Sequence, residues 1–130
     1  MKPDLMHTVE EMTSGFAVGN DVVMLSNFRQ SFTSDFRHKV YTEKELCYCD
    51  SFSNPLLRYA STWAAKEAVY KAIKQLDPSP LPWKKIEIVR EKAAGKPSVI
   101  IHKDNNYDIS LSISHDGDYV WAIVILKVRE

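Results

Sequence analysis

The chain has 130 residues, 45% of them hydrophobic and 26% charged, with 17 basic residues against 17 acidic ones. That is the size and composition of one globular domain able to bury a core. A balanced charge without a basic stripe of interleaved aromatics argues against nucleic acid and an anionic membrane surface as partners, and no apolar run approaches the roughly 18–20 residues of a membrane span.

A single domain over 1–130 is expected, with residues 1–13 as a loosely held leader too polar for a secretory signal. Cys47 and Cys49 stand one residue apart with no second ligand cluster at zinc spacing, which suits reduced thiols and a cytoplasmic setting. Phe16 to Leu25 reads as a buried strand with a polar step at Asn20-Asp21. Ser26 to Lys39 reads as a helix capped by Ser26, with Phe28, Phe32 and Phe36 on one face. Thr42-Glu43-Lys44-Glu45 has the capping-box pattern and predicts a short helix to Asp50. The spacing of Leu56, Ala60, Trp63, Ala64 and Ala68 predicts a long helix over 54–76, with Asn54 as cap and Pro55 in the first position. The Pro78, Pro80 and Pro82 segment ends it.

The last third is strand-like. Ile86 to Val89 is followed by a Gly95-Lys96-Pro97 turn into Ser98–His102. Asp108 to Ser114 alternates polar and apolar residues. Asp116-Gly117 signals a hairpin into the apolar strand Tyr119–Val128. The expected fold is α+β, an antiparallel sheet packed on a long central helix.

Taken singly, the polar residues in these elements have plain readings. Glu67 and Lys71, four apart on the long helix, form an ordinary surface pair. Asp21 ends a strand or caps a turn, since a buried unpaired carboxylate is costly. His115 sits at a hairpin end, and Arg29, Arg37 and Lys39 make a locally basic, solvated helix face.

Together and in order, Gly19-Asn20-Asp21, the Trp63–Lys71 segment (Trp-Ala-Ala-Lys-Glu-Ala-Val-Tyr-Lys), Gly95-Lys96-Pro97 and Ser112-Ile113-Ser114-His115 resemble the phosphopantetheinyl transferases of the holo-acyl-carrier-protein synthase type. Thr42 to Glu45 resembles that family's Thr-x-x-Glu element, and the likeness spans residues 16–127. It implies transfer of the phosphopantetheine arm of coenzyme A to a serine of an apo acyl carrier protein. It implies Mg2+ held by Asp21 and Glu67, a hard cation that takes one or two carboxylates plus phosphates and water. It also implies catalytic work by Asp21, Glu67 and Lys71, with Lys71 on a phosphate or accepting the serine proton. Coenzyme contacts fall to Lys66, Lys71, Lys74, Gly95, Ser114 and His115. Carrier docking falls to Arg29, Arg37 and Lys39. A homotrimer is implied, with each site between subunits, Asp21 and Glu67 from one chain and His115 from its neighbour. Asn20, where an apolar residue is common, and Thr62, where many members have Arg, depart from the pattern, and the helix lacks a glycine after Lys71. A non-catalytic scaffold or regulatory domain of the same fold, in a fatty acid or polyketide synthase system, predicts no coenzyme A binding and is favoured if Asp21 and Glu67 lie far apart. A thioester-handling enzyme with a long central helix would need no metal.

Overall fold

The computed structural model describes residues 15–91 and 94–130, and the leader expected over 1–13 lies outside them. The elements run β1 (Phe16–Met24), α1 (Leu25–Ser31), α2 (Ser34–Val40), α3 (Glu43–Asp50), α4 (Pro55–Lys74), a 3-10 turn (Trp83–Lys85), β2 (Ile86–Glu91), β3 (Ala94–Ile101), β4 (Tyr107–Asp116) and β5 (Tyr119–Val128). The α+β expectation holds. The strands form two antiparallel ladders rather than one sheet, β1-β5-β4 and β2-β3.

α4 is the centre. Ala60, Ala64, Ala65, Ala68 and Ala72 are all buried, so the helix presents small side chains to the sheet. β1 lies so close that a Cβ on Gly19 would stand 1.9 Å from the Ala68 carbonyl oxygen. Only glycine allows that approach. The Gln75 amide donates to the Val18 carbonyl at 2.7 Å and ties the same two elements.

β1 alternates rather than being buried throughout. Ala17, Gly19, Asp21 and Val23 face inward and Phe16, Val18, Asn20 and Val22 face out. Asn20, the polar residue in an apolar pattern, therefore meets solvent, and Asp21 turns to the core side. β5 alternates likewise, with Val120, Ala122, Val124 and Leu126 buried and Tyr119, Trp121, Ile123 and Ile125 exposed. Because β1 and β5 pair, with Val22 opposite Trp121 and Val18 opposite Ile125, their outer residues form a continuous exposed apolar face.

The helix expected over 26–39 is two helices. Thr33 interrupts it and caps α2 by accepting the Phe36 amide at 3.2 Å. Met24, not Ser26, stands at the N-cap of α1. The Ser26 amide and hydroxyl instead donate to the Asp118 carboxylate at 3.2 and 2.8 Å, so the β4–β5 turn caps α1 from across the chain. That turn is Gly117-Asp118, with Gly117 at φ 58° and Asp116 paired to Tyr119. Phe28, Phe32 and Phe36 still share a face and stack on Tyr59 and Trp63, despite the break. Trp63 in turn packs against Trp83, ring centroids 4.7 Å apart. At the start of α4, Asn54 occupies the cap position but its side chain makes no capping bond, while Pro55 opens the helix as expected.

The capping box forms as expected, and Glu45 does more than cap. One oxygen accepts the Thr42 amide at 2.9 Å and the Lys66 ammonium at 2.7 Å, and the other accepts the Ile88 amide at 2.8 Å. A single carboxylate joins α3, α4 and β2.

Gly95-Lys96-Pro97 is not a turn. β3 already begins at Ala94, opposite Glu91, and the pairing shifts by the time Val89 meets Ser98. The three residues Gly95–Pro97 thus face the single residue Arg90. A bulge of this kind bends a ladder and re-aims the opposing side chain.

Candidate active site

β1 and α4 bring Asp21, Glu67 and Lys71 together. The Lys71 ammonium donates to Asp21 Oδ1 at 2.8 Å and to the Asn20 carbonyl at 3.2 Å. Glu67, one turn before Lys71, shares a hydrogen bond with Asp21. Burial, that bond and the Asp21 charge push the Glu67 carboxyl up to about 7, with Lys71 pulling the other way. The bond to Asp21 raises Lys71, so its ammonium keeps its proton. The separation that would have favoured a scaffold is not seen.

These carboxylates open on a cleft of about 260 Å³ whose wall includes Asn27, Phe28, Phe36 and Trp63. Two carboxylates forced close in a partly dry site favour a cation between them. Among the described residues no group of three or more His, Cys, Asp and Glu side chains could hold a metal by itself. The pair therefore fits a hard, oxygen-seeking ion that completes its shell with phosphate and water, which describes magnesium better than zinc.

Ser114 and His115 are elsewhere. They line a second cleft of about 210 Å³ with Gly95 and Pro97 of β3, Arg58 and Ser61 of α4, Tyr48 of α3 and Arg90 of β2. The two clefts share no lining residue, so within one chain His115 does not meet Asp21 and Glu67.

Lys66 is fully buried, bonded to Glu45 and, at 2.6 Å, to the Ile86 carbonyl. Burial lowers its pKa against the pull of Glu45, and in the single chain it lines neither cleft and braces α4 against α3 and β2. Lys74 is half-buried and donates to the Pro78 and Ser79 carbonyls beyond the helix end, away from both clefts. Gly95 borders the His115 cleft, but a Cβ there would meet nothing within 4 Å, so neither space nor backbone demands glycine in the single chain. Of the basic patch, Arg29 and Lys39 are exposed. Arg37 is engaged within the chain, with Asp50 at 2.5 Å and the Tyr59 hydroxyl at 3.3 Å, which offsets its charge.

Sequence reasoning missed Arg58 and Arg90. One signal was present, since Arg58 lies four residues before Thr62 on the same helix face, next to the position where the cation was missing. Nothing local marked Arg90, because its direction depends on the Gly95–Pro97 bulge.

Residues 17–124 match the 4'-phosphopantetheinyl transferase superfamily. The holo-[acyl-carrier-protein] synthase of Chlamydia trachomatis is 34% identical over 118 residues, spanning 86% of this chain and 99% of the relative. That of Aquifex aeolicus is 32% identical over 121 residues, spanning 86% and 98%. Among solved structures, a holo-[acyl-carrier-protein] synthase from Neisseria meningitidis has a TM-score of 0.71 at 25% identity, over 85% of this chain and 97% of that one. A coenzyme A complex of an ACPS from Chronobacterium ammoniagenes has the same fold, with a TM-score of 0.74 at 24% identity, over 88% and 98%.

Proposed function

The chain belongs to the 4'-phosphopantetheinyl transferase superfamily, and on that premise we propose that it transfers phosphopantetheine from coenzyme A to a serine of an apo acyl carrier protein. The observation that carries this reading is that Asp21 and Glu67 line one cleft and that Lys71 is bonded to Asp21 beside it. The relatives at 34% and 32% identity are named as holo-acyl-carrier-protein synthases and support the same reaction.

The serine oxygen attacks the phosphorus that carries the pantetheine arm. A bond from serine to phosphorus forms, the phosphoanhydride bond breaks, and 3',5'-ADP leaves with the bridging oxygen. Asp21 and Glu67 would hold magnesium, which when bound supplies positive charge to the phosphate oxygens. Lys71, kept protonated by Asp21, acts as a fixed cation on the phosphoryl oxygens and is a poor base. The serine proton leaves to water in the cleft, since a carboxylate that holds a metal ion is a poor base. Catalysis of this kind rests on positioning and charge stabilisation.

His115 reaches such a site only from a second copy. A homotrimer with its sites between subunits supplies that copy. The exposed face of Phe16, Val18, Val22, Trp121, Ile123 and Ile125 supports it, since apolar patches of this kind usually mark an interface. Arg29 and Lys39 face an acidic carrier protein. Among the described residues no helix is long and apolar enough to cross a membrane.

The test is mass spectrometry of an apo acyl carrier protein incubated with this protein and coenzyme A, with magnesium or with chelator. The expected result is a mass gain of one phosphopantetheine arm, seen with metal only. Unmodified carrier in every condition, across several carrier proteins, would overturn the reading.

A further inference from the structure

α1 supplies Asn27, Phe28 and Ser31 to the wall of the carboxylate cleft, and Arg29 to the exposed basic patch. Yet its own residues support it poorly. It has seven residues, and an isolated helix shorter than about 12–15 residues is marginal in water. Met24, at its N-cap, has no side-chain oxygen to receive the first free amides. Phe28 is its one buried side chain. A single buried ring pins a short helix at a point and leaves its direction open.

Asp118 fixes that direction. Its peptide carbonyl accepts the Leu25 amide at 2.7 Å. Its Oδ1 accepts the Ser26 amide at 3.2 Å and its Oδ2 the Ser26 hydroxyl at 2.8 Å. A cap ordinarily comes from the residue before the helix. Here it comes from 92 residues later in the chain, and its negative charge suits the positive end of the helix. Asp118 is itself held firmly. It lies between Gly117, at φ 58°, and Tyr119, which pairs with both Met24 and Asp116. The closed end of the β4–β5 hairpin is therefore a rigid template against which the chain leaves β1 and starts α1.

Resting on the transferase reading, we propose that Asp118 is a positioning residue for the carrier step. It acts through α1, keeping Asn27, Phe28 and Ser31 in the wall beside Asp21 and Glu67 and presenting Arg29 to the incoming carrier protein. When α1 is correctly seated only part of the time, the apparent affinity for the carrier falls by that fraction. Coenzyme A is spared, because Ser114 and His115 are held by their own pairing with Trp121 and Val120 and do not need Asp118.

The experiment compares the full chain with Asp118→Ala, Ser26→Ala and the double variant, in turnover with apo acyl carrier protein, coenzyme A and magnesium. Thermal melting identifies any variant that fails to fold, and Asp118→Asn, which keeps one acceptor oxygen, is the milder substitute. In Asp118→Ala, KM for the carrier is expected to rise about fivefold, the equivalent of one helix cap, with KM for coenzyme A unchanged. Asp118→Asn recovers part of that loss. Ser26→Ala, which removes the hydroxyl bond alone, loses less, and the double variant is no worse than Asp118→Ala because the two side chains share one interaction. Hydrogen exchange of the Leu25–Ser31 amides quickens in Asp118→Ala. A merely structural role would lower the active fraction, and so the rate at saturation, with both KM values intact. An unchanged carrier KM in a folded Asp118→Ala would overturn the proposal. So would an equal rise in both KM values, or losses from Ser26→Ala and Asp118→Ala that multiply in the double variant. Where the parent modifies carrier protein, any of these results refutes this inference alone. A parent that modifies no carrier protein refutes the transferase reading and this inference with it.

Discussion

Glu67 keeps a proton that the unfolded chain would release. Its carboxyl moves from an ordinary 4.5 to about 7 because it is partly buried against Asp21. Between those values the folded state binds more protons than the unfolded one, so stability falls as pH rises through the window and levels off above about 7. The full shift corresponds to roughly 3 kcal/mol, and solvent screening of this half-open group reduces it to about 1–2 kcal/mol. Urea denaturation in chelator at pH 5, 6, 7 and 8 reads this slope directly. Glu67→Gln, which keeps the shape and removes the titration, is expected to flatten it and to exceed the parent in stability by that amount at pH 8. The same proton competes with metal. Magnesium affinity is expected to rise about tenfold from pH 6 to pH 8, with proton release on binding, and to lose that dependence in the glutamine variant. An equal slope in both proteins, or a parent that grows more stable toward pH 8 without metal, would refute the argument.

Gly19→Ala would put a methyl carbon 1.9 Å from the Ala68 carbonyl oxygen. A loss of about 2–3 kcal/mol or more is expected by denaturation, and transfer activity should fall with it because β1 carries Asp21. Lys66→Met strands Glu45 in the core and is expected to destabilise by about 3–5 kcal/mol, while carrier modification by the protein that remains folded keeps its magnesium requirement. Trp121→Glu places a charge in the exposed apolar face and should leave a folded monomer in sedimentation, with activity lost because His115 no longer reaches a neighbour's carboxylates. Arg29→Glu with Lys39→Glu should raise KM for the carrier protein and leave KM for coenzyme A unchanged, the difference shrinking at high salt.

What could be read from the chain was whatever repeats locally. The helical spacing around Ala60, Ala64 and Ala68, the Thr42–Glu45 box, and the alternation of β4 each depend on neighbours a few residues away. The meeting of Asp21 with Glu67 and Lys71 was legible only through the ordered motifs. Gly19, which makes it physically possible, has no local signature apart from being a glycine in a strand. Tertiary partners decided the rest. Ser26 looked like a cap, but Asp118, 92 residues on, performs that task. Lys66 and Lys71 are both lysines on α4, yet one is sealed onto Glu45 and the other reaches Asp21, because a five-residue step turns the side chain to another face. Gly95-Lys96-Pro97 carries turn residues, but in a ladder the same residues make a bulge.

The three tryptophans divide the molecule's events among them. Trp63 stands on the wall of the carboxylate cleft, Trp83 is packed against it, and Trp121 lies alone on the outer face of β5. With Trp121→Phe, the emission that remains comes from the pair beside the carboxylate cleft. With Trp63 and Trp83 replaced instead, what remains reports the burial of the sheet face. Fluorescence can thus time the joining of chains and the filling of the cleft as separate signals in one experiment.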